Sequence, residues 1–499
     1  MKMRSRSAAR QTTNIYAIVI ATAFALLPIA ATAASQRTFV ASYGSDASPS
    51  CSLAAPCRSF NAAIGNTNPG GEVVILDTAA YGVMTINKSI KIIGPSGVYG
   101  GISVLGGANP TTGIVINAGD FDDITLRGLD ISGVPNSGAP FPDIGIDIQN
   151  AGAVHIEKTS IGNFTQDTSA CIKLDTAKVV RLYVDDSFLR ECRTGVYVNG
   201  NTVPASSSVS AIIDNTRIER GKSTVSPFAS VGVWFKNHGT MQIRNSVISR
   251  NNTGVLYETD VPSSSGYLMI TGTHLTRHDD AIVHTKAVAS AYTNIEFNDG
   301  LISTTNGITM NMTGPGSSAL LSVKNSQILH GTTPISVTNS GVGHGTYVRV
   351  IDSNLGRSAN GIIIANTAAD ANTRAYLDLV RSTLAGVTNT LIDASASNGA
   401  KTYVDVESST LNNATTAINT SGTSLVSVSS ARTHIHNVTT VLNHGNGTAR
   451  FDANHIVKCA NDFVNNGSGN VFSFNNNAIH DIDNTSGLTY ITPSIVTLR

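Results

Sequence analysis

Tyr376-Leu377-Asp378-Leu379-Val380-Arg381-Ser382-Thr383-Leu384 is followed, 27 residues on, by Tyr403-Val404-Asp405-Val406-Glu407-Ser408-Ser409-Thr410-Leu411. Both stretches alternate apolar and polar residues, turn at a small hydroxyl residue, and place an aliphatic residue two positions later. Alternation with period two marks a strand that buries one face. The arrangement recurs at anchors Thr159, Ser187, Thr216, Ser246, Thr273, Gly300, Ser326, Ser353, Ser382, Ser409, Thr433, Asn454 and Asn477. The residue two positions after each is Ile161, Leu189, Ile218, Ile248, Leu275, Ile302, Ile328, Leu355, Leu384, Leu411, Ile435, Ile456 or Ile479. Successive anchors lie 21 to 30 residues apart, a period that marks a solenoid.

Each repeat carries two further alternating segments. Met241/Ile243, Leu321/Val323 and Val348/Val350 precede their anchors, and Val255/Tyr257, Ile335/Val337 and Ile362/Ile364 follow them. The residue before the anchor is often Asn or Asp, as at Asp186, Asn215, Asn245, Asp299, Asn325, Asp352 and Asn476. Such residues suit tight turns, and stacked Asn side chains can ladder their amides between coils. No 3.6-residue periodicity supports a helical repeat, and a propeller blade needs about 40 residues or more. The expectation is an all-β chain: a single right-handed parallel β-helix over 129–485, one coil per repeat, with a C-terminal tail at 486–499. A solenoid grows along one axis, so chain length does not require several domains.

Lys2, Arg4, Arg6 and Arg10 precede an apolar run from Ile15 to Ala30, and Ala31-Thr32-Ala33 supplies small residues at a cleavage site. This three-part pattern predicts a secretory signal over 1–34. The run is shorter than the roughly 20 residues needed to span a bilayer, and no later segment is apolar for long enough. The chain is therefore expected to be exported, to a periplasmic, cell-surface or extracellular location, with no membrane span after cleavage. The formal charge is zero, and loss of four basic residues makes the mature chain mildly acidic. That balance gives no reason to expect a nucleic-acid partner.

Residues 35–128 read as a cap followed by the first coils. Arg37 to Ser42 is a strand, and Ser59-Phe60-Asn61-Ala62-Ala63-Ile64 is a short amphipathic helix with Ser59 as N-cap. Such a helix covers the edge that the first coil would otherwise expose. Gly70-Gly71-Glu72-Val73-Val74-Ile75-Leu76, Tyr81-Gly82-Val83-Met84-Thr85-Ile86 and Ser89-Ile90-Lys91-Ile92-Ile93-Gly94 are the first strands. This opening resembles that of pectin-lyase-like β-helix proteins, and with the repeats the resemblance covers nearly the whole mature chain. It is specific for fold and not for activity, because lyases, hydrolases, tailspikes and adhesins share that architecture.

Five cysteines in an exported chain point to disulfides. Cys51 and Cys57 bracket a short loop containing Pro56 and form the expected first bridge; no His stands near them to make a metal site. Cys171 and Cys192 fall on consecutive coils, three positions out of register, so their bridge requires the turn to fold back. Cys459 repeats the position of Cys192 ten coils away, about 48 Å at 4.8 Å per coil, and is left as a free thiol.

For chemistry, the resemblance implies two comparisons. Lyases of this type use Arg or Lys as base, often with Ca²⁺ held by acids, and those local signatures do not appear; no metal or other cofactor is expected, with Ca²⁺ the exception if the chain is a lyase. Polygalacturonases of this type use paired Asp and a Gly-His-Gly turn. Asp279-Asp280 and Gly343-His344-Gly345 are the matching residues, with Asp279, Asp280 and His344 as catalytic candidates, but the two groups are two coils or more apart.

The repeat alignment adds a column four positions after each anchor. It places Arg220, Arg250 and Arg277 on three successive coils, with Arg357 further along. Stacked cations repel unless neutralised. Glu191, Asp279 and Asp280 are internal candidates for that role. The alternative is an acidic polysaccharide lying along the column, since one coil rises about as far as one sugar unit and a guanidinium pairs bidentately with carboxylate or sulfate. Two functions follow: a non-catalytic exported rod binding a polysaccharide or cell-surface glycan, or a polysaccharide lyase or glycoside hydrolase acting on an acidic polysaccharide.

Overall fold

The computed structural model describes residues 35–482, apart from 49, 108, 135–140, 201–208, 222–229, 344 and 475. The expected signal segment 1–34 and tail 486–499 lie outside the described residues. The chain is a right-handed parallel β-helix in which every pairing between strands is parallel.

One coil shows the plan. Gly239–Arg244 lies on a first face, Val247–Ser249 on a second and Thr253–Thr259 on a third; Ser265–Thr271 then returns to the first face one coil higher. Ile243 pairs with Ile270, Ile248 with Leu275, and Val255 with Ile282. The first face stacks 17 strands among the described residues, a rod of about 80 Å at 4.8 Å per rung. The other two faces fuse into one sheet because the strands Thr410–Ser421 and His434–His444 continue through the corner between them.

The aliphatic column fills the core. Ile161 through Ile456 are buried at every coil, and Ile479, on the last described coil, is 36% exposed because no described coil covers it. Beside it, the anchor hydroxyls form a buried ladder of hydrogen bonds. The backbone N–H of Ser353 donates to Ser382 Oγ at 3.1 Å, and that of Ser382 donates to Ser409 Oγ at 3.1 Å. Each hydroxyl in turn donates to the carbonyl two residues back, as Ser382 Oγ does to Val380 O at 2.9 Å. Near the end of the rod Asn454 Oδ1 takes over, accepting from Thr433 N at 2.9 Å. The ladder explains the anchor: at this corner the backbone N–H turns inward and needs a side-chain acceptor on the coil above.

Both corners of the second face hold left-handed residues. Before the anchor these include Asp186, Asn215, Asn245 and Asp352, at φ between 45° and 51°. The expected amide ladder is only partly made of Asn–Asn pairs. Asn245 Nδ2 donates to Asp214 Oδ1 at 3.0 Å and Asn215 to Asp186, because a carboxylate accepts more strongly than an amide. Asn-to-Asn rungs appear on the third face, where Asn443 donates to Asn419 at 2.7 Å. A glycine column opens the third face: a Cβ on Gly232 or Gly254 would lie 2.5 or 2.6 Å from the carbonyl oxygen of the next coil.

At the N-terminus, Ser35–Val40 pairs with Thr67–Ile75, and the helix Phe60–Gly65 presses Phe60, Ala63 and Ile64 onto the first coil. Ser59 caps it, accepting from Ala62 N at 3.3 Å. Residues 81–83 form a turn rather than the start of a strand, since the Tyr81 ring is buried and its hydroxyl bonds to Asp77. Both expected disulfides are present, with Cα atoms 4.8 Å apart for Cys51–Cys57 and 5.7 Å apart for Cys171–Cys192. Cys459 is a buried free thiol.

Candidate functional site

The second corner, where the short second-face strand turns into the third face, carries the arginine column. Backbone bonds fix its order: Arg220 N–H donates to Ser249 O (3.1 Å), Arg250 N–H to Thr276 O (3.2 Å) and Arg277 N–H to Ser303 O (2.9 Å). Arg220, Arg250 and Arg277 therefore stand on consecutive coils, each exposed. Arg357 holds the same corner three coils beyond Arg277. All four adopt φ between 54° and 59°, a region that costs a residue with a Cβ about 1 kcal/mol or more. Other coils fill this position with Gly386, Asn413 or Asn437 at φ of 54–67°, residues that suit the turn better. The backbone therefore gives no reason for arginine here.

The internal neutralisers named from sequence do not reach the guanidinium groups. Asp279 Oδ2 accepts from Asn252 Nδ2 at 2.9 Å, and Asp280 Oδ1 accepts from Asn306 Nδ2 at 2.9 Å. These amides come from the coils below and above, and among the described residues neither carboxylate forms an ion pair with an arginine. Among the described residues Arg250, Arg277, Arg357 and Glu191 make no ion pair. Arg220 has one loose contact, with Glu219 at 4.0 Å, and Glu219 is taken more closely by Arg217 at 2.8 Å. Sequence reasoning missed Glu219, although its position one residue before Arg220 is a direct signal.

Asp280 and Gly345 are not brought together. Asp280 begins the third-face strand Asp280–Lys286, whereas Gly345 begins the first-face strand Gly345–Ile351, whose Thr346 pairs with Ala319 and that in turn with Thr293. The two stand at opposite ends of the third face and two coils apart, with a seven-residue strand of about 20 Å between them. His344 is outside the described residues. Among the described residues no three His, Cys, Asp or Glu side chains converge to hold a metal. Along the first-face corner, Asp186 is engaged by Lys158 at 4.0 Å and Asp214 by Arg244 at 2.8 Å.

A second group on the adjoining third face was not legible from sequence. Trp234 meets Tyr197 edge-on with centroids 5.3 Å apart, donates from Nε1 to Glu258 at 2.9 Å, and lies 5.6 and 5.7 Å from the cations of Arg193 and Lys236. Arg193 is 8% exposed, and its Nε has no hydrogen-bond partner. Burial pulls the Arg193 guanidinium below its ordinary value and pushes the Tyr197 phenol up. The Cys171–Cys192 bridge anchors the residue before Arg193, and Arg193 N–H donates to Phe164 O at 2.7 Å. Residues 196–198 pair with 233–235 in the next coil, which brings Tyr197 and Trp234 side by side although 37 residues separate them in sequence.

No family model matches the chain, and no curated protein matches it. Among solved structures it is similar to pectate lyase Pel9A, at 13% identity over 69% of this chain and 75% of that one, with a TM-score of 0.30. It is also similar to PfbA, a surface adhesin of Streptococcus pneumoniae, at 10% identity over 77% and 88% of the two chains, TM-score 0.32. The GH87 α-1,3-glucanase of Streptomyces thermodiastaticus is similar at 13% identity over 74% and 63%, TM-score 0.35. At these values the likeness carries no argument about activity.

Proposed function

We propose that this protein is exported, to the periplasm, the cell surface or the extracellular medium, and binds an anionic glycan polymer along the arginine corner without catalysis. One observation carries the reading: exposed Arg220, Arg250 and Arg277 stand one coil apart, in a backbone conformation that favours other residues, and Arg250 and Arg277 have no acidic partner among the described residues. Three like charges at a spacing of about 4.8 Å are relieved by a polymer that carries one anionic group per rise of similar length. The two disulfides fit an oxidising compartment, and among the described residues no helix is long and apolar enough to cross a membrane.

The test is an array of acidic glycans, including polygalacturonate, alginate and sulfated polymers, against wild type and Arg220→Gln/Arg250→Gln/Arg277→Gln. Wild type binds at least one polymer, and affinity falls steeply with salt, because charges beyond about 8 Å are screened at physiological ionic strength. The triple variant loses that binding with little change in stability, since exposed charges contribute about 0–1 kcal/mol each. Equal binding by both proteins, or none by either, overturns the reading. Release of unsaturated products or new reducing ends from a bound polymer overturns the non-catalytic part and favours a lyase or hydrolase.

A further inference from the structure

A second set of titratable side chains stands near the C-terminal end of the rod, away from the arginine corner. His434 and His436 alternate with buried Ile435 on the strand His434–His444, so both imidazoles leave the outer side of the second face, with ring centroids 4.6 Å apart. His455 pairs in register with His434 one coil higher, and their rings stack at 4.7 Å and 22°. His480 continues the column of His436 beyond Val457, with its centroid 6.0 Å from His455. Four histidines thus share one outward patch spanning three coils.

The charged groups around the patch are otherwise engaged or basic. Arg432, at the neighbouring corner, pairs with Glu407. Asp452 accepts from Asn476 Nδ2 at 2.7 Å. Asp462, on the third face, accepts from Phe463 N at 2.9 Å. The strand below offers Thr410 and Asn412 and the strand above Ala478, all uncharged; the side chain of Asp481 lies outside the described residues. Lys458 follows Val457 and lines a groove of about 840 Å³ with Asn413, Asn437 and the Cys459 region. No ion pair among the described residues reaches the four imidazoles.

We infer that His434, His436, His455 and His480 form a second anion site that takes a strongly acidic glycan when the imidazoles are protonated and releases it near neutral pH. The ligand class rests on the function proposed above; the site does not. Imidazole is the side chain whose charge changes most readily near physiological pH, so a cluster of four gathers positive charge as the medium becomes acid. Rings 4.6–4.7 Å apart repel once protonated. Burial, and then the charges of His436 and His455, hold His434 below the ordinary imidazole range. An anion laid across the patch cancels that repulsion, so ligand binding and proton uptake favour each other by the same factor.

The test uses dextran sulfate, whose charge does not change over the range studied, and Arg220→Gln/Arg250→Gln/Arg277→Gln as the background. Calorimetry at pH 7.5 and 5.5, in two buffers of different ionisation enthalpy at each pH, reads affinity and protons together. The expected result is at least tenfold tighter binding at pH 5.5, with net proton uptake. Adding His434→Gln, His436→Gln and His455→Gln removes both, whereas adding His155→Gln, on the first face, removes neither. Circular dichroism at pH 5.5 verifies that each variant is folded. Binding that is no tighter at pH 5.5, or that tightens equally without the three histidines, overturns the proposal. Failure of the arginine reading shows separately, as absence of a wild-type signal at pH 7.5.

Discussion

Replacing Ser382 by Ala tests whether the hydroxyl ladder, rather than the mere smallness of the anchor, sets the repeat. Ser382 is buried, and its Cβ is kept, so no packing volume beyond one oxygen is lost. The hydroxyl accepts from Ser353 N at 3.1 Å and donates to Val380 O at 2.9 Å. Val380 O also accepts from Asp352 N at 3.1 Å and stays satisfied. The group left orphaned is the buried Ser353 N–H, and an unsatisfied buried donor costs about 1–3 kcal/mol. We expect Ser382→Ala to lose roughly 2 kcal/mol in urea unfolding. Ser382→Thr should be nearly neutral, since Thr159, Thr216, Thr273 and Thr433 hold the same column. Thr383→Ala, half-exposed at the next position, should change stability by about 0.5 kcal/mol or less. Amide hydrogen exchange gives the local readout: the Ser353 amide should lose protection while the amide of residue 382, which donates to Ser409 Oγ, keeps it. An Ala variant as stable as wild type, with Ser353 still protected, refutes the ladder as the reason for the anchor.

Ile248→Asp strands a carboxylate in a core position that is 0% exposed, and the variant should fail to accumulate as folded protein; native circular dichroism from a soluble variant would contradict the register. Cys171→Ser with Cys192→Ser opens a loop of sequence separation 21 and should lower stability by roughly 3 kcal/mol, read by denaturation under non-reducing conditions. Lys286 is buried, donates to Ser318 O at 2.9 Å, and is brought down to about 7 by burial. Its folded-state value lies below its unfolded one, so the unfolded chain binds the extra proton and stability should rise from pH 7 to pH 9, by up to roughly 2–3 kcal/mol. Lys286→Met should lack that rise; a parallel rise in the variant would assign it elsewhere.

The parallel β-helix was legible because each coil repeats one rule. A buried aliphatic residue follows a hydroxyl or amide residue at a fixed offset, and that offset survives changes in loop length. Asp279-Asp280 and Gly343-His344-Gly345 were harder to relate for the complementary reason. A tripeptide match carries no information about which face it lands on, and the structure puts Asp280 and Gly345 at opposite ends of the third face. The arginine column was legible as an alignment, yet its environment was not. Asp279 looked like a partner of Arg277 because it is two residues away, whereas the amides of Asn252 and Asn306, each about one coil distant in sequence, claim the two carboxylates.

What the sequence determined by itself is the coil: its period, its buried column, its corners and the pairing of Cys51 with Cys57, all set by local alternation and by residues a few positions apart. The tertiary structure alone decided what each coil meets in its neighbour. Trp234 beside Tyr197, His455 over His434, and unpaired Arg250 between Arg220 and Arg277 are contacts between coils 21 to 37 residues apart. Coil lengths vary, so in-register neighbours cannot be counted off the chain. Hydrogen-bonded stacking at about 4.8 Å fixes them, and which side chains then compete for one acid is settled by that stacking.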